Sequence, residues 1–140
     1  MLPALFIATM MLNAPADVIA AENREDLRVL VIDDSRVIRQ VTRQNLIYVG
    51  FEGSNIVQVT PDDALETVSS ESFDVVIFGT DRAPDELFRN LRAATNAKII
   101  VSLLAGIFEF VSYYDAGADT IIVKPFNADI LDPKLEAMGL

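Results

Sequence analysis

The sequence of residues 28–36 is RVLVIDDSR, a short apolar run followed at once by two aspartates and a serine. Val and Ile, which dominate the run, favour a β-strand that is buried on both faces. Asp34 and Ser35 are both good N-cap residues for a helix that would begin next. This stretch therefore predicts a strand, an acidic turn and a helix in direct succession.

The same succession of strand and helix repeats along the chain. Runs rich in Val and Ile follow at residues 56–60, 73–78, 98–102 and 120–123, and helix-like segments begin at residues 35, 60, 84, 105 and 128. This alternation is typical of a parallel sheet covered by helices on both faces. Gly50 and Gly117 are expected to end the first and fourth helices, and Pro133 is expected to shorten or kink the fifth.

The composition excludes several classes of chemistry. The 140 residues include no cysteine and no histidine, so disulfides, thiolate catalysis, a Ser-His-Asp triad and a phosphohistidine are ruled out. A formal net charge of −10 without a Lys/Arg cluster argues against nucleic-acid binding. A metal site would need oxygen ligands, which suit Mg²⁺. The lack of cysteine fits a reducing compartment, and we expect a cytoplasmic protein.

Residues 2–12 form an apolar run that stands apart from this alternation. The run is shorter than the about 20 residues that span a bilayer, and no Lys or Arg precedes it as in a signal peptide. We expect a helix packed on the domain or on a second copy. Membrane contact through residues 1–20 and a stretch of little structure are the alternatives. Residues 1–27 are therefore assigned to an N-terminal apolar segment and connector, and residues 28–140 to the domain.

Polar residues and one glycine lie at or just after the ends of the predicted strands. Asp33 and Asp34 come after the first strand, Gly79 and Ser102 end the third and fourth, and Lys124 follows the fifth. Because functional groups of an open parallel sheet gather at the carboxyl ends of its strands, we expect these residues to lie at one edge.

Three separated motifs resemble those of response-regulator receiver (CheY-like) domains. They are VIDDSR at residues 31–36, AGAD at 116–119 and VKPF at 123–126. The resemblance covers about residues 28–138. It implies a flavodoxin-like (βα)5 fold, a doubly wound α/β parallel sheet with strand order 2-1-3-4-5, here with an extra N-terminal helical segment.

The resemblance also implies roles for the residues at the sheet edge. Asp33 and Asp34 match the metal-binding acids, Ser102 matches the hydroxyl that contacts the phosphate, and Lys124 matches the lysine that neutralises its charge. Pro125 follows that lysine as in the family. The position of the phosphate-accepting aspartate is held by Gly79, which has no nucleophile.

Two further departures accompany this glycine. The loop after Gly79 has its proline one position late, and Ile121 stands where the family usually has a switch aromatic. We therefore predict a stand-alone pseudo-receiver that is not an enzyme. Asp33 and Asp34 would bind Mg²⁺ weakly or not at all, and no other cofactor is expected. Lys124 would pair with Asp33 or Asp34.

Two other functions stay open at this point. Asp81 could act as a displaced acceptor in a phosphorelay, although in-line attack needs placement to within about an ångström. The chain could also be a small-ligand or membrane-surface sensor.

Aromatic residues cluster on or near the fourth predicted helix. Too many aromatics fall there to bury on one helix face, so an exposed remainder would contact a partner. The partner would be a kinase, another signalling protein or a second copy, bound through the fourth helix, fifth strand and fifth helix. Arg36, Arg39 and Arg43 are expected to form a solvated face. The residues assigned to the partner surface are Phe108, Phe110, Tyr113, Tyr114 and Ile121.

Overall fold

Five parallel strands form one sheet in the computed structural model of the protein, which describes residues 23–104 and 107–140 and the side chains of all of these except residues 107 and 108. The order β2-β1-β3-β4-β5 confirms the predicted flavodoxin-like fold. The strands are β1 Val29–Ile32, β2 Ile56–Val59, β3 Val75–Thr80, β4 Lys98–Leu103 and β5 Thr120–Val123.

A helix follows each strand, as the sequence pattern predicted. Each helix begins within about two residues of the predicted start, the accuracy that capping signals allow. Two short 3₁₀ turns, Arg24–Asp26 and Gly53–Asn55, precede β1 and β2. The helices are α1 Arg36–Tyr48, α2 Pro61–Ser70, α3 Glu86–Ala94, α4 Ile107–Asp115 and α5 Ala128–Ala137.

Specific hydrogen bonds fix the ends of α1. At its start, the Ser35 hydroxyl accepts a hydrogen bond from the Ile38 N–H at 3.2 Å, which confirms the predicted N-cap. At its end, Gly50 has φ +114°, and the Phe51 N–H donates to the Leu46 carbonyl at 3.0 Å. Glycine is favoured there because it adopts positive φ without a Cβ clash.

Two further residues, Gly117 and Pro133, were predicted to end a helix or to shorten or kink it. Gly117 ends α4 with φ +110°, as predicted. Pro133 lies inside α5, and the helix continues beyond it to Ala137, so the proline does not terminate the helix.

The sheet is buried on both faces. Leu30 and Ile32 of β1 belong to one apolar cluster, which includes side chains of α2, α3 and α4. Val29 and Val31 belong to the other, which includes side chains of α1 and α5. Both faces of the sheet are therefore used for packing.

Arg24, which precedes the predicted boundary at residue 28, already contacts the domain. The Arg24 guanidinium lies 2.8 Å from the Asp132 carboxylate and donates to the carbonyls of Val49 and Leu140 at 2.7 and 3.1 Å. The predicted apolar segment at residues 2–12 lies outside the described residues. Among the helices that the structure describes, none has the length and apolar character needed to cross a membrane.

Candidate functional site

The carboxyl-terminal edge of the sheet carries a pocket of about 480 Å³. It brings together most of the residues that the sequence placed at this edge, including Asp81, but Ser102 does not line it. The lining residues are Asp33, Asp34, Ser35, Ile38, Gly79, Thr80, Asp81, Leu104, Lys124 and Pro125.

A buried ion pair lies at the base of this pocket. The Lys124 ammonium is 2.9 Å from Asp33 Oδ2, and the side chains of Lys124 and Asp33 are only 12% and 6% exposed. Asp33 Oδ1 accepts a second hydrogen bond, from the Ser35 N–H at 2.9 Å. The predicted ion pair is therefore confirmed, with Asp33 as the partner of Lys124.

Arg39 supports the turn that carries Asp33. Its guanidinium donates to the backbone carbonyls of Asp33 and Asp34 at 2.7 and 3.2 Å. The expectation that Arg39 is part of a solvated face is wrong for this residue, because its guanidinium is hydrogen-bonded to the β1–α1 turn. No feature of the sequence indicates this contact, since an arginine at that helical position looks like any surface arginine.

Gly79 makes room for the Asp33 carboxylate. A Cβ added to Gly79 would lie far inside van der Waals contact of Asp33 Oδ2 and 2.8 Å from Asp33 Cγ. The φ of Gly79 is not positive, unlike that of Gly50, Gly117 and Gly139. The close approach of Asp33, rather than the backbone conformation, is therefore what requires glycine at this position.

Ser102 lies next to Gly79 on the neighbouring strand, where the two residues are register partners. Its side chain is fully buried, and within the described residues no group is hydrogen-bonded to its Oγ. Ser102 is thus a strand residue behind the pocket floor, with a hydroxyl that has no partner in the described part of the chain.

The remaining acids of the pocket are exposed and dispersed. Asp34 is exposed, and the Asp81 side chain is 72% exposed with its carboxylate 3.9 Å from Arg82 Nε. Among the described residues there is no group of three or more acidic side chains placed to hold a metal ion. Both oxygens of the Asp33 carboxylate accept hydrogen bonds, one from the Lys124 ammonium and one from the Ser35 N–H.

Tyr113 ties α4 to the loop that follows β3. Its hydroxyl donates to the Arg82 carbonyl at 2.8 Å and is hydrogen-bonded to the Thr80 side chain. Its ring packs edge-to-face on the ring of Phe88, with the two ring centroids 5.0 Å apart. Burial raises the pKa of the Tyr113 hydroxyl, although the hydrogen bond with Thr80 opposes this shift.

The predicted partner surface is wrong for two of its residues. Tyr113 and Ile121 are buried and belong to the apolar core. Phe110 is half-buried against that core, whereas Tyr114 is exposed. The side chain of Phe108 lies outside the described residues. The helical pattern of α4 could not show which of its aromatics points inward, because apolar residues occur on every side of it.

Comparison with known proteins gives a consistent set of relatives. The chain is 31% identical over 119 residues to the response regulators MprA of Mycolicibacterium vanbaalenii and Mycobacterium ulcerans. Each match covers 80% of this chain and 50% of the relative, so the chain spans about half the length of these curated relatives. No protein-family model matches the chain.

Solved structures extend this similarity to the fold. A CheY-like receiver domain from Methanospirillum hungatei is 27% identical, with a TM-score of 0.66 over 81% of this chain and 93% of that one. A Burkholderia pseudomallei response regulator, solved with a phosphorylated aspartic acid, a calcium ion and citrate, is 26% identical, with a TM-score of 0.68 over 81% of this chain and 69% of that one.

A Gly79→Ala substitution tests the packing of Asp33 over Gly79. The added methyl must push the Asp33 carboxylate away from Lys124, and breaking a buried ion pair costs about 3 kcal/mol of unfolding free energy. Urea denaturation followed by circular dichroism measures this loss. In an Asp33→Ala background the same substitution should cost less than about 1 kcal/mol, because the clashing carboxylate is gone.

The control for this substitution is Gly53→Ala. Gly53 also lacks positive φ, and the nearest atom to an added Cβ is at the flexible end of the Arg43 side chain. Equal losses for Gly79→Ala with and without the Asp33 carboxylate would contradict the packing described for this pair.

A Tyr113→Phe substitution tests the contact between α4 and the β3–α3 loop. Loss of the buried hydrogen bond should cost about 1 kcal/mol at neutral pH. Unfolded tyrosine ionises near pH 10, and the pKa of folded Tyr113 is higher, so the stability that Tyr113 contributes is complete below pH 10 and is lost as pH rises further. Urea denaturation between pH 8 and 11 should therefore show a steeper decline for the wild type than for Tyr113→Phe.

Tyr114→Phe is the matched control, because Tyr114 lies on the same helix but is exposed. It should keep the wild-type pH profile. A Tyr113→Phe variant whose stability declines as steeply as that of the wild type above pH 10 would show that the hydroxyl is not held in this way.

Proposed function

The described part of the chain is a CheY-like receiver domain of the response-regulator type, and we propose that it is a pseudo-receiver that signals by protein contact without aspartyl phosphorylation. The observation that carries this proposal is the position of the Asp33 carboxylate. It is paired with Lys124 and occupies the space directly over Gly79, where an acceptor side chain would have to stand.

Phosphoryl transfer to a receiver needs a nucleophile and positive charge to stabilise the transferring group. Gly79 has no nucleophilic side chain, and the charge of Lys124 is already balanced by Asp33. The similar Burkholderia pseudomallei response regulator carries a phosphorylated aspartic acid. In this chain the acid nearest to Gly79 is Asp33, which is held by Lys124 and Ser35.

Weak or absent Mg²⁺ binding is part of the same proposal. An ion at this edge would have to take Asp33 away from Lys124 and from the Ser35 N–H, and it would gain only the exposed carboxylates of Asp34 and Asp81. Losing the hydrogen bonds and charge partner of a buried carboxylate opposes metal binding.

The alternative in which Asp81 accepts the phosphoryl group has less support. Asp81 lines the same pocket as Asp33 and Lys124, but its side chain is 72% exposed, and its carboxylate lies 3.9 Å from Arg82 Nε. No specific contact of the described residues favours a small-ligand or membrane-surface sensor.

We propose that the output is contact with a kinase or another signalling protein, or with a second copy, through α4, β5 and α5. Each of these elements carries exposed apolar side chains. Val111 and Tyr114 lie on α4, Val123 ends β5, and Ile130 lies on α5. Such side chains are typical of a protein contact surface.

A titration with Mg²⁺ and beryllofluoride, followed by ¹H–¹⁵N NMR, tests the central part of this proposal. Because the acceptor position has no carboxylate, the amide resonances of Asp33, Gly79, Ser102 and Lys124 should stay unchanged.

The control is the same titration of Asp81→Ala. If the wild type responds and Asp81→Ala does not, Asp81 is a displaced acceptor and the pseudo-receiver proposal fails. A response that is equal in both proteins would also contradict the proposal. The phosphate analogue would then bind although there is no carboxylate at position 79 and Asp81 has been removed.

A further inference from the structure

Helix α1 carries an apolar stripe that is exposed in the described part of the chain. Val37, Val41 and Tyr48 are 66%, 48% and 81% exposed. They stand at positions i, i+4 and i+11 of the helix, so they share one side of it, with Gln44 between them at i+7. The buried side of α1 is a different one, formed by Thr42 and Leu46. Aligned exposed apolar residues of this kind mark a contact surface.

We propose that residues 2–12 of the same chain dock on this stripe. The first reason is where the described chain begins. Arg24 is fixed at the carboxyl-terminal end of α1, because its guanidinium donates to the Val49 carbonyl at 2.7 Å and pairs with Asp132 at 2.8 Å. Asn23 therefore lies near the carboxyl-terminal end of α1, the helix end that carries Tyr48, the most exposed residue of the stripe.

The second reason is length. The connector at residues 13–22 can span up to about 33 Å when extended. The stripe from Val37 to Tyr48 extends over only about 16 Å of helix, and residues 2–12 would match that length as a helix of about 16 Å. The connector is therefore long enough to lay the segment along the whole stripe in either direction.

The third reason is chemistry and tethering. Residues 2–12 have the sequence LPALFIATMML, which contains no charged side chain. Apolar surface of this kind is unfavourable in water, and the stripe offers it an apolar partner. Because the segment is attached to the domain, its effective concentration at the stripe is about millimolar, far above that of a second copy in dilute solution.

Cysteine crosslinking in the full chain tests this inference directly, because the protein has no cysteine of its own. Phe6→Cys combined with Val41→Cys places one thiol in the segment and one on the stripe. Phe6→Cys combined with Glu66→Cys is the matched control, since Glu66 is exposed on α2, across the sheet from α1. Under mild oxidation at micromolar protein, the first pair should form an intrachain disulfide about tenfold faster than the second, because docking adds to tethering.

Addition of Tyr48→Glu to the Phe6→Cys/Val41→Cys protein supplies a second measurement. A charge on the stripe should slow the crosslink to the rate of the control pair, while the circular dichroism spectrum of the domain stays unchanged. Equal rates for the two cysteine pairs would overturn the inference. So would crosslinks that form only between chains, which would identify a second copy as the occupant of the stripe.

Discussion

The contact between Asp33 and Lys124 directly over Gly79 is the constraint on which the rest of the site depends. It combines a buried ion pair with a backbone position that has no room for a side chain. Without Asp33, Lys124 would be left with an uncompensated buried charge. Asp33 could not take its position beside Lys124 if residue 79 had a Cβ, so the ion pair also requires glycine there. The missing nucleophile and the ion pair are therefore one structural feature.

The surroundings of this pair are also held in one arrangement. Arg39 fixes the turn that carries Asp33, and Tyr113 joins α4 to the loop after β3 through Arg82 and Thr80. Ile121 is packed in the core of the sheet. These hydrogen bonds and this core packing connect the β1–α1 turn, the β3–α3 loop and α4 to the rest of the domain.

Much of the fold was predictable from the sequence because it depends on local rules. The Val/Ile-rich runs specify buried strands, and Ser35, Gly50 and Gly117 mark helix ends through their own backbone and capping chemistry. The motif resemblance supplied the strand order. The acid and lysine at the sheet edge were also predictable, because strand ends of a parallel sheet converge.

The features that could not be predicted from the sequence depend on the orientation of individual side chains. Tyr113 and Ile121 were assigned to the surface, yet both are buried, because β5 is covered on both faces and Tyr113 lies on the inner side of α4. The position of Asp33 over Gly79 could not be inferred either, since the sequence shows that a nucleophile is missing but not what fills its place.

In the proposed pseudo-receiver, Lys124 stays paired with Asp33 and is therefore not available to a phosphate. The ¹⁵N NMR signal of the Lys124 ammonium tests this most directly, with the exposed Lys98 as the internal reference. Buried pairing should slow exchange of the Lys124 ammonium protons with water, so that their signal is visible at neutral pH, unchanged by Mg²⁺ and lost in Asp33→Asn. A Lys124 signal that shifts on addition of Mg²⁺, or that is the same in the wild type and Asp33→Asn, would contradict the claim.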